Sequence, residues 1–103
     1  MATTAREFFE GIPGRLDPAK IGGESLSYRF DIADAGSWKV DVRDGAATVA
    51  ETDEPADCVI RMKEETLQKL IAGEAKPQTA FLTGKIKIDG DMALALKLKE
   101  LFF

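Results

Sequence analysis

Between residues 26 and 62 the sequence changes character at every second position. Leu26, Tyr28, Phe30 and Ile32 alternate with Ser27, Arg29 and Asp31; Trp38, Val40 and Val42 alternate with Lys39, Asp41 and Arg43; Cys58, Ile60 and Met62 alternate with Val59, Arg61 and Lys63. Successive side chains in a strand point to opposite faces, so a period of two reads as strands with one dry face and one wet face. Asp34-Ala35-Gly36 marks the first turn. Asp44-Gly45 is a two-residue hairpin signal, because both turn positions favour positive φ. Ala46 to Glu51 supplies a third strand, and the polar loop Thr52 to Ala56 precedes the fourth. Tight turns join the first three strands, which are predicted to form an antiparallel meander. The outward set Arg29, Asp31, Lys39, Asp41 and Arg43 mixes both signs, as on a solvated sheet face. Helices should therefore gather on the other face.

The helical segments flank this block. Thr4 and Glu7 have capping-box spacing ahead of Phe8 and Phe9, and Gly11 with Pro13 should close that helix. Asp17-Pro18 starts a second one, ended by Gly22-Gly23. After residue 63, Leu67, Leu70 and Ile71 follow helical spacing, with Glu64 and Glu65 in the first turn and Gly73 at the end. Pro77 opens a short helix carrying Ala80, Phe81 and Leu82, stopped by Gly84. Ile86 and Ile88 form a fifth strand, Gly90 breaks it, and Asp91 caps a last helix from about Met92 to Phe102. That helix carries Met92, Ala93, Leu94, Ala95, Leu96, Leu98, Leu101 and Phe102 against only Lys97, Lys99 and Glu100. A stripe so wide is buried on more than one side, lines a cavity, or meets a partner or membrane. The prediction is one α/β domain of the α+β type over residues 1–103, with a five-stranded, mainly antiparallel sheet and helices packed on one face.

Several chemistries are excluded. The chain has no histidine and a single cysteine, which removes Ser-His-Asp and Cys-His catalysis, histidine metal ligands and multi-cysteine metal or cluster sites. No phosphate-cradling glycine loop occurs; Gly11-x-x-Gly14 and Gly22-Gly23 read as turns. Asp89 and Asp91 read as turn and cap residues. The expectation is a non-enzyme with no metal and no cofactor, and with Cys58 as a buried small hydrophobe. A net charge of −4 argues against nucleic acid. The basic pairs Lys85/Lys87 and Lys97/Lys99 read as solvated faces or, as a second reading, as contacts to anionic lipid headgroups. No segment approaches the roughly 20 apolar residues of a membrane span. The N-terminus has no apolar signal-like run and Leu101-Phe102-Phe103 is not a peroxisomal address, so a cytoplasmic location is expected.

One stretch carries more. Residues 73–98 read GEAKPQTAFLTGKIKIDGDMALALKL. Proline, Ala-Phe, Gly-Lys, an alternating Ile-Lys-Ile strand, Gly-Asp-Met and an apolar helix with a lysine resemble the C-terminal half of the SCP-2 (sterol carrier protein 2) family. Upstream, Phe9-Glu10-Gly11, Arg15-Leu16-Asp17-Pro18, Tyr28-Arg29-Phe30-Asp31-Ile32, Trp38-x-Val40 and Pro55-Ala56-Asp57 continue the similarity, which runs from about Phe8 to Leu98. Lys63 departs from it, standing where the family often has a serine or another capping residue. The resemblance implies helices over one face of a five-stranded sheet and, between them, a hydrophobic tunnel for a fatty acid, fatty acyl-CoA, sterol or prenylquinone-like lipid, with no catalytic residue. With no second domain in this chain, it implies a free carrier. On the matched positions the lining would be Ile60, Met62, Leu67, Leu70, Ile71, Phe81, Leu82, Ile86, Ile88, Met92 and Leu96; packed core is the competing reading of each. The alternative function is a protein–protein interaction or dimerisation module using the apolar C-terminal helix and the Leu101-Phe102-Phe103 tail, and a third reading gives that tail a transient membrane contact. The expected state is a monomer or weak homodimer.

Overall fold

The computed structural model describes residues 4–15 and 25–97. Helix α1 (Ala5–Glu10) begins at Thr4, the predicted cap, whose hydroxyl accepts from the Glu7 backbone N–H at 3.1 Å and donates to Glu7 Oε1 at 3.0 Å, so the Glu7 carboxylate meets the Thr4 side chain. Gly11 closes α1, but Pro13 does not stop the chain. A short helix α2 (Ile12–Arg15) follows at once, with proline inside its first turn, where a missing N–H costs nothing. The helix expected at Asp17-Pro18 lies outside the described residues, as does everything after Lys97 in the last one.

The strands are β1 (Leu26–Ala33), β2 (Gly36–Arg43), β3 (Ala46–Glu51), β4 (Cys58–Lys63) and β5 (Ile86–Gly90), in the spatial order β3-β2-β1-β4-β5. The meander is as predicted, and the Asp44-Gly45 turn has φ of 52° and 77°. β4 then crosses over the meander and pairs with β1 in parallel, so the sheet is mixed, with β5 antiparallel to β4. The crossover is pinned to the neighbouring strand. Arg29 donates to the carbonyl oxygen of Asp53 at 2.9 Å, and the Asp57 N–H donates to the Ser27 hydroxyl at 2.8 Å. Where β5 ends, a Cβ on Gly90 would lie 2.3 Å from the Asp57 carbonyl oxygen, and φ is +101°, so only glycine fits this close approach.

Register puts Tyr28, Phe30 and Ile32 beside Cys58, Ile60 and Met62 on one side, and Leu26, Tyr28 and Phe30 beside Val42, Val40 and Trp38 on the other. These inward residues are buried. Three helices complete the inner layer: α3 (Glu64–Ile71) against β4 and β1, α4 (Pro77–Leu82) against β5, and α5 (Met92–Ala95) against β4 and β5. α3 starts at Lys63 with no side-chain cap, the consequence expected of a lysine there, while Asp91 caps α5 by accepting from the Ala93 N–H at 2.9 Å.

Candidate lipid-binding site

The inner layer has two unlike halves. Over β1 and β2 the space is filled by rings. Phe9 stacks on Trp38 with centroids 4.9 Å apart and lies 5.0 Å from Phe30, and Phe8 meets Phe9 edge-on at 5.2 Å. All four are buried, with Ile12 beside them. These ring pairs add to the area they bury.

Over β4 and β5 the apolar residues are shared between floor and surface. Of the eleven candidate lining residues, Ile60, Met62, Leu67, Leu70 and Ile86 are buried in the core, and Ile71 and Ile88 are partly buried against it. The remaining four are exposed: Phe81 at 36%, Met92 at 48%, Leu82 at 78% and Leu96 at 81%. Ala80, not a candidate, is the residue that α4 turns inward. Successive helical residues point about 100° apart, so Ala80, Phe81 and Leu82 cannot all face the sheet. One contact that sequence reasoning missed ties this half down. The Tyr28 hydroxyl donates to the Leu94 carbonyl oxygen at 2.8 Å in a buried site, linking β1 to the end of α5. Alternation marked Tyr28 as inward but carried no signal for a partner 66 residues away.

A groove of about 840 Å³ opens at the end of the sheet where the parallel strands β1 and β4 both finish. It is bounded by Asp31–Ser37, Arg61–Lys63, the first turns of α3 and the residues around Gly84–Lys87. Met62 is the only one of the eleven candidates in its wall. Of its charged members, Asp31 was read in the sequence as part of a solvated sheet face, Lys63 as a missing cap, and Lys85 and Lys87 as a solvated face or a contact to anionic lipid headgroups, and nothing in a period of two reveals that the β1–β2 turn and the β4–α3 junction enclose a space between them.

The open face is internally paired. Arg29 meets Asp31 at 3.0 Å, and Arg61 reaches Asp31 at 3.4 Å and also binds Asp89. Burial works against ionising Asp31, but hydrogen bonds from Arg29, Ser37 and Arg61 and the Arg29 charge outweigh it and hold its carboxyl below the usual aspartate range. Cys58 is fully buried, and burial, reinforced by the charges of Asp91 and Asp57, pushes its thiol up to about 11, so it is a poor nucleophile. Among the described residues no group of three or more acidic or cysteine side chains could hold a metal ion, and no helix is long and apolar enough to cross a membrane.

A mixed five-stranded sheet with helices on one face, one half ring-packed and the other presenting uncovered aliphatic groups, defines an α+β domain with an apolar surface left open on one half. The family model of the SCP-2 sterol transfer family matches residues 15–103, and the chain belongs to that family. It is 43% identical over 88 residues to sterol carrier protein 2 of Gallus gallus, covering 80% of this chain and 16% of that protein. It is 35% identical over 99 residues to hydroxysteroid dehydrogenase-like protein 2 of Danio rerio, covering 92% of this chain and 24% of that one. The solution structure of the sterol carrier protein domain 2 of Helicoverpa armigera superposes with a TM-score of 0.71 at 28% identity, over 93% of this chain and 80% of that one. The chain thus spans less than a quarter of the length of the two whole proteins.

Proposed function

We propose that this chain is a non-catalytic carrier that takes one lipid (a fatty acid, fatty acyl-CoA, sterol or prenylquinone-like molecule) between helices α4 and α5 and the β4–β5 half of the sheet. Ile60, Leu67 and Ile86 form the floor, and Phe81, Leu82, Met92 and Leu96 are the residues a bound tail covers. The observation that carries this reading is the exposure of those four side chains, the large apolar residues exposed among the described residues. Methionine at position 92 suits ligands of varied shape, being unbranched and polarizable.

The energetics agree with reversible carriage. At roughly 0.8 kcal/mol per methylene, a tail of about 14 to 16 carbons gains on the order of 10 kcal/mol gross. Association costs an estimated ~4–15 kcal/mol. Affinity in the micromolar range with loose selectivity among tails follows, because one methylene more or less discriminates weakly.

The test is displacement. A fluorescent fatty acid should bind at about one per chain and be released by unlabelled lipid. The same exposed patch also favours self-association. A concentration-dependent dimer in light scattering, with no saturable lipid uptake at tens of micromolar, would replace the carrier by the interaction module.

A further inference from the structure

From β1 across β4 to β5 the inner face of the sheet runs in three rows: Tyr28, Cys58 and Gly90; Phe30, Ile60 and Ile88; Ile32, Met62 and Ile86. Four residue steps of β1 separate the first row from the last, about 13 Å at the rise of an ordinary strand. The two ends of this surface differ. Ile32 and Met62 also line the groove where β1 and β4 finish, so the last row borders open space. The first row is sealed. Tyr28 and Cys58 are fully buried, Gly90 adds no side chain, and Leu94 is the residue that α5 buries at this end.

Tyr28 makes the seal. Its ring rises from β1 and its hydroxyl donates to the Leu94 carbonyl oxygen at 2.8 Å, so one side chain spans the layer from sheet to helix. A tyrosine can be buried in this way because its hydroxyl finds an acceptor. The bond ties α5 to the sheet at that end and blocks the way beyond it. A tail lying under α4 and α5 with one end toward the groove has its other end against this pillar. Hydrocarbon that fits gains with every methylene, while hydrocarbon that does not fit must stay in water or crowd the packing.

We propose that Tyr28, tied to Leu94, is the end stop of the lipid site and sets the longest tail the carrier accommodates; this rests on the lipid-carrier reading and adds a length limit to it. Below the limit each added methylene strengthens binding by roughly fourfold. Beyond it the gain stops, because further carbons meet the tyrosine instead of open apolar surface.

The experiment titrates saturated fatty acids from octanoate to eicosanoate against a bound fluorescent fatty acid. It uses the full chain and the variants Tyr28→Leu, Tyr28→Phe and Phe9→Ala, with the melting temperature of each measured alongside. Wild-type affinity should climb with tail length and then level off at a break. Tyr28→Leu shortens the pillar and should move that break to tails longer by about two methylenes or more. Tyr28→Phe keeps the ring but frees α5, and should move the break in the same direction by less, so the test stands even if the leucine variant does not fold. Phe9→Ala lies in the ring-packed half and should lose stability with the break unmoved. A tyrosine with a structural role alone would weaken every tail by the same factor and leave the break in place, which overturns the stop. A wild-type series without a break, or a break that moves equally in Phe9→Ala, also overturns it. In each of these cases the carrier stands. No saturable binding of the fluorescent fatty acid to wild type overturns the carrier reading and the stop with it.

Discussion

The two halves of the inner layer use apolar residues in opposite ways. Over β1 and β2, Phe8, Phe9, Phe30 and Trp38 are buried and in ring contact, with Ile12 buried beside them, and among the described residues no large apolar side chain of this half is exposed. Over β4 and β5, α4 turns a small residue, Ala80, toward the sheet and carries Leu82 outward, and Leu96 beyond α5 does the same. On the proposed carrier reading, the first half supplies stability and the second the contact with ligand.

That division can be broken by substitution. Phe9→Ala removes the ring at the centre of the packed half and should cost about 3–5 kcal/mol, read as a lower denaturation midpoint with lipid affinity intact wherever the protein remains folded. A small loss there would mean that the aromatic half is loosely packed. Tyr28→Phe strips the Leu94 carbonyl of its donor and should cost about 1–2 kcal/mol. Because it frees the end of α5, it should also weaken lipid binding, which Phe9→Ala should not. If both variants change affinity equally, the halves are not separable.

Asp31→Asn tests the open face at the rim. The folded-state pKa of Asp31 is depressed, so its contribution is present above the unfolded value near 3.8 and is lost as the pH falls through and below it. The variant should be less stable than wild type by about 1 kcal/mol at neutral pH, the upper part of the range for partly exposed pairs. The gap should close below about pH 3.8. A gap that persists in acid would point to lost packing instead of charge. Smallest of all on stability, Leu82→Ser with Leu96→Ser should stay within about 0.5 kcal/mol of wild type, because both residues are already solvated. The pair should nonetheless weaken fatty-acid binding severalfold in the displacement titration; unchanged affinity would remove them from the site.

Much of this was legible in residue order. The period of two marked four of the five strands, Asp44-Gly45 set the hairpin and so the strand at Ala46–Glu51, and Thr4 and Asp91 were recognisable as caps because each places an oxygen where free N–H groups must be met. Lys63 was legible as a missing cap. The partner of β4 was not, since alternation states which face is dry but not which strand lies alongside; burial of Tyr28, Phe30 and Ile32 from both sides chose β1. Helix α2 escaped because Gly11 and Pro13 are stop signals whose effect depends on the turn they fall in. The candidate lining was legible as a set of apolar positions, yet periodicity ranks Ala80 below Leu82, and only packing reverses them. The groove at the rim arises from the meeting of two chain reversals, far apart in sequence, and has no local signature at all.

Native mass spectrometry of the purified chain with lipids retained tests the central claim most directly. The account predicts a single species heavier than the bare chain by one lipid mass, released on denaturation and restored by adding that lipid back. A chain that emerges bare, and stays bare after incubation with fatty acid, acyl-CoA and sterol in turn, would contradict it.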